Sequence, residues 1–232
     1  MGSVYDFEQS AAYAKGLLSE KVMLEPVVLE ALGAVEGLRV ADLGCGNGRY
    51  SRLLAERGAS VFGIDVSPDQ IVLARKLNAC ERVKYFLGDA AETSFSGGSF
   101  DLVLLKLVVP ALQSREALEG VLREAVRILK PGGKLVLATL HPLYVSASKN
   151  ESNHSLSFDF KNYFAEGCTY DSEAVLADGS KIRFKETHFS LDYLSKRLLA
   201  AGFLIRRIRE GRQDPETDAW VPICLIFEAV KS

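Results

Sequence analysis

Cysteine is scarce in this chain. The four thiols (Cys45, Cys80, Cys168 and Cys224) are widely spaced, with no Cys-x-x-Cys pair. That spacing excludes the cysteine triplet of a radical iron–sulfur enzyme and argues against a structural zinc site, so no metal is expected. It suits free thiols in a reducing compartment. Net charge is scarce too: 28 basic against 30 acidic residues leave −2, which gives no electrostatic footprint for nucleic acid. The one basic cluster, Arg206, Arg207, Arg209 and Arg212, reads as a solvated strand edge. No apolar run reaches the ~18 residues of a membrane span. The opening Met-Gly-Ser-Val-Tyr-Asp carries no basic-then-apolar leader. Internal repeats and low-complexity segments are absent. A cytoplasmic protein that engages neither membrane nor nucleic acid is the expectation.

What is present fits one α/β domain with a modest insertion: 232 residues, 48% hydrophobic and 25% charged. The most structured stretch runs from Val40 to Lys76. It reads as a short apolar run, a glycine loop, a helix, a second apolar run and an acidic residue, the order of a β-α-β unit. The glycines fall at Gly44, Gly46 and Gly48, a GxGxG pattern. The dinucleotide fingerprint GxGxxG would need a third glycine where Arg49 stands. Asp42, two residues before the first glycine, would repel a phosphate and suit a cationic ligand.

Asp42-Leu43-Gly44-Cys45-Gly46-Asn47-Gly48, with Asp65 closing the second strand, resembles motifs I and II of the class I S-adenosylmethionine-dependent methyltransferases. Gly88-Asp89-Ala90, Ser99-Phe100-Asp101-Leu102-Val103 and Leu129-Lys130-Pro131-Gly132-Gly133-Lys134-Leu135 follow in the family's order. The resemblance covers roughly residues 1 to 140. It implies a doubly wound, seven-stranded, mostly parallel sheet with an antiparallel last strand, and S-adenosylmethionine as cofactor. It also implies roles. The Gly44–Gly48 loop, Cys45 included, would approach the methionyl and ribose parts. Asp42 would stay ionised and order the loop, and Asp65 would accept both ribose hydroxyls. Val66 and Ile71 would pack on one adenine face, Asp89 and the Ala90 amide would meet its edge, and the Leu105 backbone would meet the methionyl part. Lys106 is unusual beside a sulfonium, and its charge is expected to point away.

Strands are expected at about 39–42, 60–64, 83–87, 100–105 and 134–140, alternating with helices. Ser67, Pro68 and Gln70 form the pattern of a capping box, with Val66 and Ile71 as a hydrophobic staple. Pro131-Gly132-Gly133 should stop the helix that begins after Ser114. Residues 1–37 read as a helical lid with Tyr13 over the ligand. Residues 141–188, rich in aromatics and carrying an Asp178-Gly179 hairpin turn, read as a cap over the acceptor after strand five, with Tyr144 and Tyr163 as substrate contacts. A helix over 190–201 and two strands near 203–209 and 223–230 would complete a single domain over 1–232.

Methyl transfer from a cationic sulfur needs alignment, which can supply roughly 7–11 kcal/mol of the barrier, and a proton acceptor where the nucleophile is an OH or NH. His141, directly after strand five, and His188, before the last helix, are the candidate bases, although a lone histidine is more often structural. Leu105-Lys106-Leu107-Val108 is not the Asn/Asp-Pro-Pro-aromatic motif of amino-methylating nucleic-acid enzymes, and no carboxylate cluster follows strand four to hold a metal. A small, apolar or aromatic metabolite methylated on O, N or C is therefore the leading expectation. The alternatives are a non-catalytic S-adenosylmethionine-binding protein and a protein methyltransferase. The sequence leaves open whether the chain forms a homodimer.

Overall fold

A computed structural model describes residues 24–143, 153–155, 159–175, 181–211, 222 and 224–232. The first helix of the expected lid, with Tyr13, lies outside them, as do Tyr144 and the Asp178-Gly179 turn.

Among the described residues ten strands form two sheets. The large one has β1 (Arg39–Leu43), β2 (Ser60–Asp65), β3 (Val83–Leu87), β4 (Phe100–Lys106), β5 (Leu129–Leu140), β9 (Phe203–Gly211) and β10 (Cys224–Lys231), in the order β3-β2-β1-β4-β5-β10-β9. β1 to β5 are mutually parallel, and β10 runs antiparallel between β5 and β9. The chain winds leftward from β1 to β3, then restarts at β4 on the other side of β1. The gap between the ends of β1 and β4 is therefore the topological switch point, where open α/β sheets bind ligands.

Alternation along the strands supplies two cores. Ala41, Leu43, Val103, Leu105, Leu135 and Leu137 face one side, where α4 (Arg115–Ile128) and α5 (Leu191–Ala201) contribute Leu118, Leu122, Ile128, Leu194 and Leu198. Val40, Leu102, Leu104 and Val136 face the other, covered by α1 (Glu25–Leu32) and α2 (Arg49–Glu56) through Val28, Leu32, Tyr50 and Leu54. α3 (Pro68–Leu77) packs Ile71 and Ala74 against Cys45 and Tyr85. Side-chain caps fix three helix starts: Ser67, Ser114 and Ser190 each accept the N–H three residues on. Gly202, with φ of 102°, ends α5 in the left-handed conformation.

Three expectations change. β5 already pairs at Leu129 with Phe100, and Lys130 to Gly133 loop out opposite Asp101 before pairing resumes at Lys134; the glycines make a bulge inside the strand instead of separating helix from strand. Residues 88–99, between β3 and β4, form no helix. They are pinned from the side: Glu124 accepts from the Thr93 N–H at 2.8 Å and from its hydroxyl, and Arg127 donates to Glu124 and to the Phe95 carbonyl at 2.7 Å. A polar clasp thus replaces a crossover helix. Finally, the capping box is half made. Ser67 caps Gln70, but its own N–H goes to Asp65 at 2.9 Å, and the buried Gln70 Oε1 has no hydrogen-bond partner.

Between β5 and α5, strands β6 (Asn153–Ser155), β7 (Thr169–Val175) and β8 (Lys181–Thr187) form a small antiparallel sheet. Among the described residues no helix is long and apolar enough to cross a membrane, and no His/Cys/Asp/Glu group has the makings of a metal site.

Replacing Glu124 by Ala strips the Thr93 N–H of its acceptor and Arg127 of its counter-ion. We expect a loss of about 2 kcal/mol in urea unfolding, with the unfolding m-value retained.

Candidate functional site

The glycine loop leaves β1 and turns back on itself. Gly44 and Cys45 donate their N–H groups to the Ile64 carbonyl at 2.8 and 3.0 Å, Gly48 donates to Cys45 O at 3.0 Å, and Gly46 donates to Asp65 Oδ2 at 2.8 Å. These amides are consumed inward, so the loop is no phosphate cradle. Its tightness explains the glycines. A Cβ on Gly44 would stand 2.5 Å from Val108 Cγ2, and one on Gly48 would stand 2.3 Å from the Tyr85 hydroxyl. Gly46, at φ of 53°, meets nothing nearer than Gln70 Oε1 at 3.8 Å, so that side of the loop is open to a close-fitting ligand.

Asp65 joins the loop to α3. Its second oxygen accepts the Ser67 N–H, and its first-turn geometry follows from that bond. A carboxylate has about four acceptor sites, so the two bonds do not exhaust it. Burial raises the Asp65 carboxyl above its ordinary range, against the backbone N–H groups of Ser67, Gly46 and Val66. Asp42 is 2% exposed and accepts the Ser51 hydroxyl at 2.6 Å. Burial pushes it up to about 6, opposed by Ser51 and then by the Lys106 ammonium. The Lys106 Nζ lies 4.5 Å from the Tyr50 ring centroid. The Cys45 thiol is raised by burial and by the charges of Asp42 and Asp65; it stays protonated and inert.

The other expected residues divide. Gly88 N–H donates to Asp65 O at 3.0 Å, bringing Asp89 to the same edge. One Asp89 oxygen accepts the Ala91 N–H at 2.8 Å, so Asp89 shapes its turn, and Ala90 is partly buried against the core. Val66 is half-buried, whereas Ile71 is 2% exposed behind the loop. Ile71 supports the loop and offers no surface to an adenine. Leu105 is also core, leaving only its backbone toward the site.

Both histidines are built into packing. A backbone N–H can only donate, so His141 Nδ1 accepts from Leu143 at 3.1 Å and the ring proton belongs on Nε2, 3.0 Å from Glu210 Oε1. Glu210 belongs to β9, the edge strand, three strands beyond β4 and the switch point. His188 is 2% exposed and its Nε2 donates to the Tyr163 carbonyl at 2.7 Å. Burial lowers both histidines below their usual range, against the partners named. Tyr163 packs its ring on His188 and Phe164, and its hydroxyl lies 3.5 Å from the Leu191 N–H, at the foot of the cap.

Several contributors were not legible as site residues. Tyr85 braces the loop through contacts with Gly48 O and Asn78 O at 3.1 and 2.9 Å. Leu107, immediately after β4, is the one non-glycine residue at positive φ (55°) among the described residues, a strained conformation at the switch point. Neither leaves a motif in the sequence.

Residues 41–137 match the profile of the family described as "Methyltransferase domain". That segment runs from β1 almost to the end of β5, and His141, the cap and α5 follow it. A demethylmenaquinone methyltransferase of Tropheryma whipplei is 38% identical over 114 residues, 48% of this chain and 46% of that protein. A ubiquinone biosynthesis O-methyltransferase of Azorhizobium caulinodans is 37% identical over 116 residues, 48% of this chain and 44% of its own length. The chain thus spans about half the length of the curated relatives it matches. Over the whole fold, an S-adenosylmethionine-dependent methyltransferase from Mesorhizobium loti superposes with a TM-score of 0.63 at 25% identity, covering 89% of this chain and 96% of that one.

The buried Asp42 gives a test by pH. Its folded-state pKa is raised above the unfolded value, so its preference for the folded state is fully present below about 4 and lost as pH rises through about 6. Asp42→Asn should therefore gain up to roughly 3 kcal/mol over the parent at pH 8, with the gain gone by pH ~4. Urea titrations at both pH values check it.

Proposed function

We propose that the chain is an S-adenosylmethionine-dependent methyltransferase acting on a small, apolar or aromatic metabolite. The observation that carries this reading is the Asp65 carboxylate held between the Gly46 and Ser67 N–H groups, beside a glycine loop whose amides face inward. With Asp42 behind it, the edge is acidic and suits a cationic nucleoside better than a phosphate.

S-adenosylmethionine supplies a methyl group on a positively charged sulfur. Asp65 takes the ribose hydroxyls on its remaining acceptor sites, and the open flank of Gly46 admits the ribose and methionyl parts. Val66 covers one side of the base, and Asp89 with the Ala90 amide meets its edge. Asp42, ionised at neutral pH beside Lys106, holds Ser51 and the loop in register and favours the cationic form of the ligand. Leu105 contributes backbone only. His141 and His188 position the cap and the end of β5 through Glu210 and the Tyr163 carbonyl. Tyr163, with Tyr144 beyond the described residues, belongs to the acceptor's surroundings. The buried face of the cap, with Tyr170 and Phe184 at 4% and 5% exposure, supports an apolar or aromatic acceptor. Relatives named for quinone biosynthesis point the same way, with O the first atom to test.

The pure protein is incubated with methyl-labelled S-adenosylmethionine and a cell extract, which is then separated into small molecules, protein and nucleic acid. We expect label in the small-molecule pool above a no-enzyme control. Label in protein or nucleic acid would overturn the acceptor class; cofactor binding with no label in any pool would favour a non-catalytic binding protein. Asp65→Ala should weaken S-adenosylhomocysteine binding by roughly 10- to 100-fold in calorimetry, and an unchanged affinity would sink the ribose placement.

A further inference from the structure

The cap hairpin has two unlike faces. Asp171, Lys181, Arg183 and Lys185 are exposed on one face and pair across the strands, with Lys181 2.9 Å and Arg183 3.3 Å from Glu173, which they largely cover, and Lys185 3.5 Å from Asp171. The opposite face carries Tyr170, Ser172, Phe184 and Glu186, because Tyr170 pairs with Glu186 and Ser172 with Phe184 in register. Tyr170, Phe184 and Glu186 are 4%, 5% and 9% exposed. A carboxyl group therefore lies on the apolar, inward face of the cap.

Such a group is costly to bury, and a hairpin that needed only packing would carry an apolar residue there. The Tyr170 and Ser172 side chains hydrogen-bond Glu186, and burial still raises its carboxyl above the ordinary range. The location matters as much as the burial. β8 packs on the short 3-10 turn Val109–Ala111 that follows β4. Val108, one residue earlier, is the side chain that a Cβ on Gly44 would strike. The inward face of the cap is thus laid over the end of β4, beside the switch point.

Resting on the methyl-transfer reading above, we propose that Glu186 is the group that receives the acceptor's proton, held in place by Tyr170 and Ser172. As the acceptor's lone pair forms its bond to the methyl carbon, the electron pair of the breaking carbon–sulfur bond remains on sulfur. The proton of the acceptor OH or NH passes to a Glu186 carboxylate oxygen and from there to solvent after the product leaves. This assignment fills the role that the commitments of His141 and His188 leave vacant.

The test uses the full chain with methyl-labelled S-adenosylmethionine and the small-molecule fraction of the extract, comparing the parent with Glu186→Gln and Glu186→Asp. Glu186→Gln should lower the labelling rate by about 100-fold or more, with S-adenosylhomocysteine affinity unchanged and a melting temperature at pH 8 no lower than the parent's. Glu186→Asp should recover part of the rate. Undiminished labelling by Glu186→Gln overturns the assignment, as does a fall in melting temperature that accounts for the lost rate. Absence of label with the parent protein itself overturns the methyl-transfer reading and this one with it, and is told apart because the parent then fails too.

Discussion

One carboxylate gathers the cofactor half of this molecule. Asp65 takes the N–H of Gly46 from one side and the N–H of Ser67 from the other. The loop after β1 and the first turn of α3 are thereby fixed to the end of β2. Charge-assisted bonds of this kind are among the stronger in proteins. Around it the supports are mostly apolar or neutral: Ile71, Cys45 and Tyr85 below the loop, Val108 beside it. Asp42 and Lys106 bring further charge close, and the lysine lowers what burial raises on Asp42.

The cofactor half was readable from sequence because it is local. GxGxG, the following helix and Asp65 all lie within two dozen residues, and their spacing follows from a single β-α-β unit. The capping pattern at Ser67 was equally local, yet half of it failed, since Asp65 is a better acceptor than a glutamine amide and lies just two residues away. What could not be read is what depends on distant partners. Glu124 holding Thr93 explains why residues 88–99 need no helix, and nothing in that stretch announces a partner on α4. The Lys106 ammonium likewise rests over the Tyr50 ring on α2, a partner that its own strand does not announce.

The same reasoning separates the two histidines from Glu186. Histidines draw the eye near neutral pH, and both lie next to functional segments of the chain. Their partners, Glu210 and the Tyr163 carbonyl, are 69 and 25 residues away and occupy the ring nitrogens named. Glu186 looks like one more charged residue in a charged hairpin until the register places it opposite Tyr170, on the inward face. Parity along a strand decides it, and parity requires knowing where the strand begins.

The position of β10 carries a consequence for how the chain assembles. It lies between β5 and β9, antiparallel to both, although both precede it in sequence. During synthesis the edges of β5 and β9 have no mate until residues 224–231 have left the ribosome, so each presents a row of unsatisfied backbone groups to its surroundings. The sheet can close only as a late event. The β1 to β4 half, with its helices, can meanwhile form from contacts near in sequence, well before the half built on β5, β10 and β9.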